Sequence, residues 1–260
     1  MASIGGKVVL VTGAADGIGP ALTVALAQAG AVVLVHGDDP GRLEDTVRVL
    51  GAAVPGAVMR SHCADFSSLE EVRRLAAEVA AAERRLDVLV NNAGIGATVP
   101  GGGARQESAD GHELRFAVNY LARYALTRLL LPLLWKAAPS RVVNVSPPGQ
   151  QAINFGDVML TAGYDGGRAC RQSRLAQVMN TFDLAAELSL AGITVNALAA
   201  EGDAGTSAAA AVMRLIVTSA GVIGTGRLFA GNRAVRADEQ AYDEDARRQL
   251  RELSGKLTGI

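Results

Sequence analysis

The feature that most restricts the fold of this chain is a short apolar run, Lys7 to Val11, leading directly into Thr12-Gly13-Ala14-Ala15-Asp16-Gly17-Ile18-Gly19, with a helical pattern opening at once over Ile18 to Ala29. A strand that turns into a helix over glycines presents unpaired backbone N–H groups and the positive end of the helix dipole, and the missing side chains let an anion approach the backbone. Pro20 fits the first helical turn, where no donor is needed. The alternation then repeats. Ala31 to His36, Ala57 to Ser61, Asp87 to Asn91, Arg141 to Ser146 and Ile193 to Leu198 read as strands; Gly41 to Leu50, Leu69 to Arg85, His112 to Lys136 and Ala169 to Leu190 read as helices. Runs such as Val32-Val33-Leu34-Val35 lack the polar alternation of a half-exposed strand, so the expected fold is α/β, a doubly wound parallel sheet covered by helices on both faces.

The 260 residues, 49% of them hydrophobic, suit a single α/β domain with a large core. A formal net charge of -1 argues against a nucleic-acid partner or an anionic membrane surface. No leader pattern and no uninterrupted apolar stretch of membrane-spanning length are expected, and Cys63 and Cys170 alone make no disulfide framework, so a cytoplasmic setting is expected. Loops or lids are expected at Val99 to Gly103, at about 147–168 and at about 201–226, and a charged amphipathic helix from Tyr242 to Leu257 should close the domain.

The second strand ends in His36-Gly37-Asp38-Asp39. A carboxylate there can accept from ribose hydroxyls and repels a 2′-phosphate, which favours NAD over NADP; the alternative is that Asp38 and Asp39 only start the turn before Pro40. His36 reads as a strand-end residue.

The spacing of the glycine turn, together with Asn91-Asn92-Ala93-Gly94 after the fourth strand, resembles the short-chain dehydrogenase/reductase family, a Rossmann-type fold. Val118-Asn119-Tyr120, Arg141 to Ser146 and Ile193-Thr194-Val195-Asn196 follow in family order, so the resemblance spans essentially the whole chain. It implies a dinucleotide seat formed by Gly13, Ala15, Asp16, Gly17, Ile18 and Gly19, with Asp38, Asp65, Phe66, Asn92, Ala93 and Gly94 on the adenine and ribose side. Arg174 and Thr206 would lie on the nicotinamide side. It also implies association of two or four copies through the long helices on either side of the fifth strand, with a hetero-oligomer as an alternative.

Family members move a hydride with a Tyr, a Lys one helical turn later, a Ser and an Asn. Arg174 stands 22 residues before Asn196, the separation expected from that Lys to the Asn of the next strand. This register puts Cys170 at the Tyr position, Arg174 at the Lys position and Pro147, just after Ser146, at the Ser position; Asn119 alone is retained. Tyr164, with Arg168 four residues on, imitates the pair but falls six residues early. Cys170, one turn from a guanidinium, could have a lowered pKa and act as nucleophile or base, or could be a small filler. After Val195-Asn196, Ala200-Glu201 replace the Pro-Gly pair that shapes the nicotinamide pocket.

Three readings follow. The first is a redox-silent enzyme that dehydrates, isomerises or cyclises a small metabolite in bacterial biosynthesis, using Asn119, Ser146, Cys170 and Arg174. The second is an oxidoreductase with an atypical site in which Tyr164, Cys170 or water supplies the proton. The third is a non-catalytic partner in a hetero-oligomer. In each the dinucleotide, NAD or NADP, could be retained, structural or absent.

Overall fold

The computed structural model describes residues 3–97, 104–200 and 205–260. Strands β1 (Val8–Val11), β2 (Val32–Gly37) and β3 (Val58–Cys63) alternate with helices α1 (Gly19–Gln28), α2 (Pro40–Ala53) and α3 (Leu69–Ala82). Then come β4 (Val88–Asn91), a one-turn α4 (Leu114–Phe116), α5 (Ala122–Lys136), β5 (Ser140–Ser146), α6 (Gly166–Leu188) and β6 (Ile193–Ala199). Helices α7 (Gly205–Val217) and α8 (Ala220–Ile223), strands β7 (Arg227–Ala230) and β8 (Arg233–Val235), and helix α9 (Glu244–Thr258) complete the chain. The sheet runs β3-β2-β1-β4-β5-β6-β7-β8, parallel except for the antiparallel β7–β8 pair. The expected α/β sheet is therefore present, and its strand order reverses between β1 and β4.

Val9, Leu10, Val11, Val33, Leu34, Val35, Leu89 and Val90 are fully buried, as strands packed on both faces require. Each such side chain contributes about 1.5 to 3 kcal/mol when taken out of water. Several helix starts are capped by a carboxylate or hydroxyl: Asp39, Ser68, Asp165 and Asp243 each accept from a backbone N–H of the turn that follows. A buried polar chain ties the sheet to its helices. Asn91 donates to Thr127 Oγ1 (3.0 Å) and to Asn144 Oδ1 (2.8 Å), and Asn144 donates to Thr181 Oγ1 (2.8 Å). Because one unpaired member would cost about 1 to 3 kcal/mol, this chain fixes how α5 and α6 seat on β4 and β5.

Several expectations are corrected. The lid expected at 201–226 is mostly a helix: α7 buries Ala208, Ala209, Ala211, Val212, Leu215 and Ile216, the spacing of one apolar face. Strands β7 and β8 were not anticipated. The helix read as His112 to Lys136 is interrupted by a π-helical turn at Ala117–Leu121, which contains Asn119. The loop read at about 147–168 ends earlier, at Asp165, where α6 is capped. The loop at Val99–Gly103 and the first part of the second expected lid, Glu201–Ala204, lie outside the described residues. Among the described residues no helix is long and apolar enough to cross a membrane.

Helices α5 and α6 are enclosed by their own chain. Along α6 only Ala186 and Glu187 are exposed, and along α5 only Pro132, Trp135 and Lys136. Helix α9 supplies part of the cover: Arg247 and Arg251 pair with Asp183 at 2.8 and 2.6 Å, and Ser254 Oγ meets Tyr120 Oη at 2.6 Å.

Candidate functional site

A cavity of about 570 Å³ opens over the C-terminal ends of the strands at the β1–β4 reversal, the place where open α/β sheets take ligands. Its walls come from the glycine turn, the ends of β2, β3, β4, β5 and β6, and helices α5 and α6.

The glycine turn is built from its backbone outward. Gly13 and Gly17 have φ of +63° and +57°, which side chains disfavour. A Cβ at Gly13 would meet Ala93 Cα at 2.6 Å, and one at Gly19 would run into the Gly13 carbonyl; a Cβ at Gly17 would meet nothing, so that position opens onto the cavity. Thr12, buried beneath, accepts from the N–H groups of Asn92 (2.9 Å) and Ala93 (3.0 Å), and Asn92 Nδ2 donates to the Gly13 carbonyl (2.9 Å). The two motifs singled out in the sequence thus brace each other across β1 and β4. The N–H groups of Gly17 and Ile18 have no acceptor among the described residues, and both residues line the cavity ahead of α1, as a pyrophosphate requires.

His36 is a pin rather than a catalyst. Its Nδ1 accepts from Gly13 N–H (3.2 Å), its Nε2 lies 3.0 Å from the Ala64 carbonyl, and Phe66 packs on the ring at 4.5 Å. Burial pushes the imidazole pKa down to about 4, so it stays neutral and keeps the acceptor that Gly13 needs. Asp38 and Asp39 divide the two roles weighed in the sequence: Asp39 caps α2 through Arg42 N–H (2.7 Å), whereas Asp38 lines the cavity. Asp65 also lines it and accepts from the N–H and hydroxyl of Ser67, both at 2.8 Å. Arg42 had not been anticipated; its guanidinium reaches Asp16 in the glycine turn at 2.5 Å.

At the other end the candidate residues separate. Asn119, Ser146, Pro147 and Arg174 line the cavity; Cys170, Tyr164 and Thr206 do not. Asn119 is committed to the loop after β4, accepting from Ile95 N–H (2.8 Å) and donating to the Ile95 carbonyl (3.1 Å) and Ser173 Oγ (3.2 Å). Cys170 is 1% exposed, with Sγ 3.9 Å from the Ile95 carbonyl. Burial pushes its thiol pKa up, outweighing the nearby guanidinium, which favours the small-filler alternative over an activated thiolate. Tyr164 donates to Glu113 Oε1 (2.8 Å) and accepts from Arg115, both members of a buried ion pair, and burial with the Glu113 contact pushes its phenol up to about 12. Arg115 also donates to the carbonyls of Gly96 and Ala97, so Tyr164 is part of a brace for that loop. Thr206 is exposed on the first turn of α7. Arg174 donates through Nη1 to the Pro148 carbonyl (2.7 Å).

Sequence reasoning also missed the residue beneath this end. Arg123 of α5 is 4% exposed and donates to the carbonyls of Ala93 (2.7 Å), Asn92 (3.2 Å) and Val145 (2.8 Å) and to Gln177 Oε1 (2.5 Å). Burial lowers its pKa to about 9, which leaves it cationic at neutral pH.

Residues 7–213 match the family model described as short chain dehydrogenase. Human retinol dehydrogenase 13 is 36% identical over 200 residues, which cover 76% of this chain and 59% of that protein; the mouse protein is 38% identical over the same length. The matched region is thus less than two thirds of these relatives. Among solved structures, an uncharacterised protein from Mycobacterium paratuberculosis superposes with a TM-score of 0.83 at 27% identity, covering 100% of this chain and 96% of that one. The Pseudomonas aeruginosa RhlG/NADP active-site complex gives 0.67 at 27% identity over 88% of this chain and 95% of its own. A metagenomic short-chain oxidoreductase in complex with NADP gives 0.68 at 27% identity over 84% and 94%. Glycine turn, Asn-Asn-Ala-Gly brace, strand order and these matches agree: the chain belongs to the short-chain dehydrogenase family.

Proposed function

We propose that this chain binds a nicotinamide dinucleotide in the cavity and acts on a small metabolite without the tyrosine–lysine proton relay of its family. One observation carries the reading: among the described residues lining the cavity there is no phenol and no ammonium group, while Cys170, at the expected Tyr position, is buried outside the lining. A positioned general acid contributes roughly 10² to 10⁴ in rate, about 3 to 5 kcal/mol, so its loss removes that much from any carbonyl reduction or alcohol oxidation at this site. Pro147 at the Ser position brings no donor to the wall.

When bound, the dinucleotide supplies a ring that can exchange a hydride. The chain's own part is to hold it: Gly17 and Ile18 N–H toward the pyrophosphate, Asp38 toward the adenosine ribose, and Arg174, with donors left beyond its Pro148 contact, toward the second ribose. Asp38 disfavours a 2′-phosphate, which supports NAD over NADP. The chemistry that fits such a site is dehydration, isomerisation or cyclisation, driven by oriented donors from Ser146 and Arg174. A second reading, an oxidoreductase with an atypical proton donor, is favoured by the similarity to the retinol dehydrogenases. Association of two or four copies, or with a different chain, is part of the same proposal.

The test restores the relay. A Pro147→Ser/Cys170→Tyr/Arg174→Lys variant should gain NAD(P)H-dependent ketone reduction or retinol oxidation at least 100-fold over the natural protein. If the natural protein already turns over at ordinary enzyme rates, the reading fails.

A further inference from the structure

The cavity is electrically divided. Its acidic lining residues, Asp16, Asp38 and Asp65, belong to the segments after β1, β2 and β3. Its guanidinium groups, Arg123 and Arg174, belong to α5 and α6 on the other side of the β1–β4 reversal, beside Ser146 and Gln177. Every acceptor that Arg123 has is neutral, three backbone carbonyls and the Gln177 amide oxygen, and Arg174 donates to a carbonyl. Among the described residues neither has a carboxylate partner. Neutral acceptors make such a burial tolerable but leave its charge unbalanced, and an anion brought by the ligand would balance it.

A second observation points the same way. Gln177 is 3% exposed, lines the cavity, and its amide nitrogen has no partner among the described residues. The Arg123 contact occupies the amide oxygen, which fixes the orientation and leaves Nε2 as a buried donor awaiting an acceptor. Arg174 lies one helical turn before Gln177 on α6, and Ser146 follows the Val145 carbonyl that Arg123 holds.

We propose that Gln177 Nε2, Arg174 and the Ser146 hydroxyl, with the Arg123 charge behind them, form an oxyanion subsite that takes the carboxylate of a small organic acid substrate. This rests on the reading that the cavity receives a dinucleotide and a small metabolite, and it adds the substrate class. A carboxylate offers an acceptor to the amide donor and a negative charge to the guanidinium groups in one group. An alcohol or ketone of the same size satisfies only the donor.

The experiment titrates the natural protein, with and without saturating NADH, using acetate, butyrate and benzoate, each against its amide, with inorganic phosphate as a separate arm. The expected result is at least tenfold tighter binding of one or more carboxylates than of the matching amide, weakened by salt. Gln177→Glu gives Arg123 a carboxylate within the chain; this variant should keep or raise the melting temperature while losing the carboxylate preference at least tenfold, a combination that a purely structural role for Gln177 would not produce. Arg174→Gln should weaken carboxylate binding in the same direction. Three outcomes would overturn the proposal: equal affinity for acids and amides across the set, an unchanged preference in Gln177→Glu, or tighter binding of phosphate than of every carboxylate. If NADH binds but no acid preference appears, this subsite fails and the dinucleotide reading stands. If NADH does not bind, that reading fails, and the acid–amide comparison on the free protein still decides the subsite.

Discussion

A methyl group at position 94 would meet the Arg123 guanidinium at 2.7 Å and the Asn119 amide oxygen at 2.9 Å, so the last glycine of the second motif is fixed by the buried arginine beside it. Gly94→Ala is expected to destabilise the protein by about 1 to 3 kcal/mol, the usual cost of overpacking a tight site, as read by urea unfolding. The glycine was legible in the sequence because its motif is; Arg123 was not. An arginine in the middle of a helix reads as solvated, and only the convergence of carbonyls from the loop after β4 and from β5, with one amide, makes its burial tolerable. His36 gives a pH prediction. Its folded-state pKa, about 4, lies below the ordinary 6.5, so the unfolded chain takes up the proton first as pH falls. Its contribution is whole above about pH 6.5 and is lost as pH falls toward 4, about 2 to 3 kcal/mol of it by pH 4.5. The fall in unfolding free energy from pH 7.5 to 4.5 should therefore be smaller by about that amount in His36→Asn; an equal fall in both proteins would remove His36 from the acid response.

Among the elements, α9 was expected from its charged amphipathic pattern, but what it covers was not visible in the sequence. Ser254 and Tyr120 are 134 positions apart, and nothing local announces that their hydroxyls meet in the core. Burial holds the Tyr120 phenol above its usual range, so the pair stays neutral. Ser254→Ala should cost about 1 to 3 kcal/mol by leaving that hydroxyl buried without its partner, and adding Tyr120→Phe should recover a large part of it; additive losses in the double-mutant cycle would show the contact to be incidental. Helix α7 was misread for a different reason. Its Gly, Ala and Ser content looks like loop composition, yet Ala208, Val212, Leu215 and Ile216 repeat at helical spacing and bury against the same core as α1. Strands β7 and β8, four and three residues long, carry too little pattern to be told from turns; β7 forms on the edge of β6, and β8 on the edge of β7.

For the molecule as a whole, the order of the strands does most to place the chemistry. It sets the carboxylates after β1, β2 and β3 on one side of the reversal and the guanidinium groups of α5 and α6 on the other, so one cavity has an end suited to ribose hydroxyls and an end suited to an anion. A doubly wound parallel sheet was legible from the glycine turn and the alternating pattern; the order of its strands and the closure of α5 and α6 by their own chain were not, because they depend on contacts between distant segments. The central claim, a retained dinucleotide seat without the proton relay, is tested most directly by calorimetric titration of the natural protein with NADH, followed by ketone addition while absorbance at the nicotinamide band is recorded. Saturable one-to-one binding is expected, with no loss of the band beyond the uncatalysed rate. Rapid loss of the band, or no heat of binding at millimolar NADH, would contradict it.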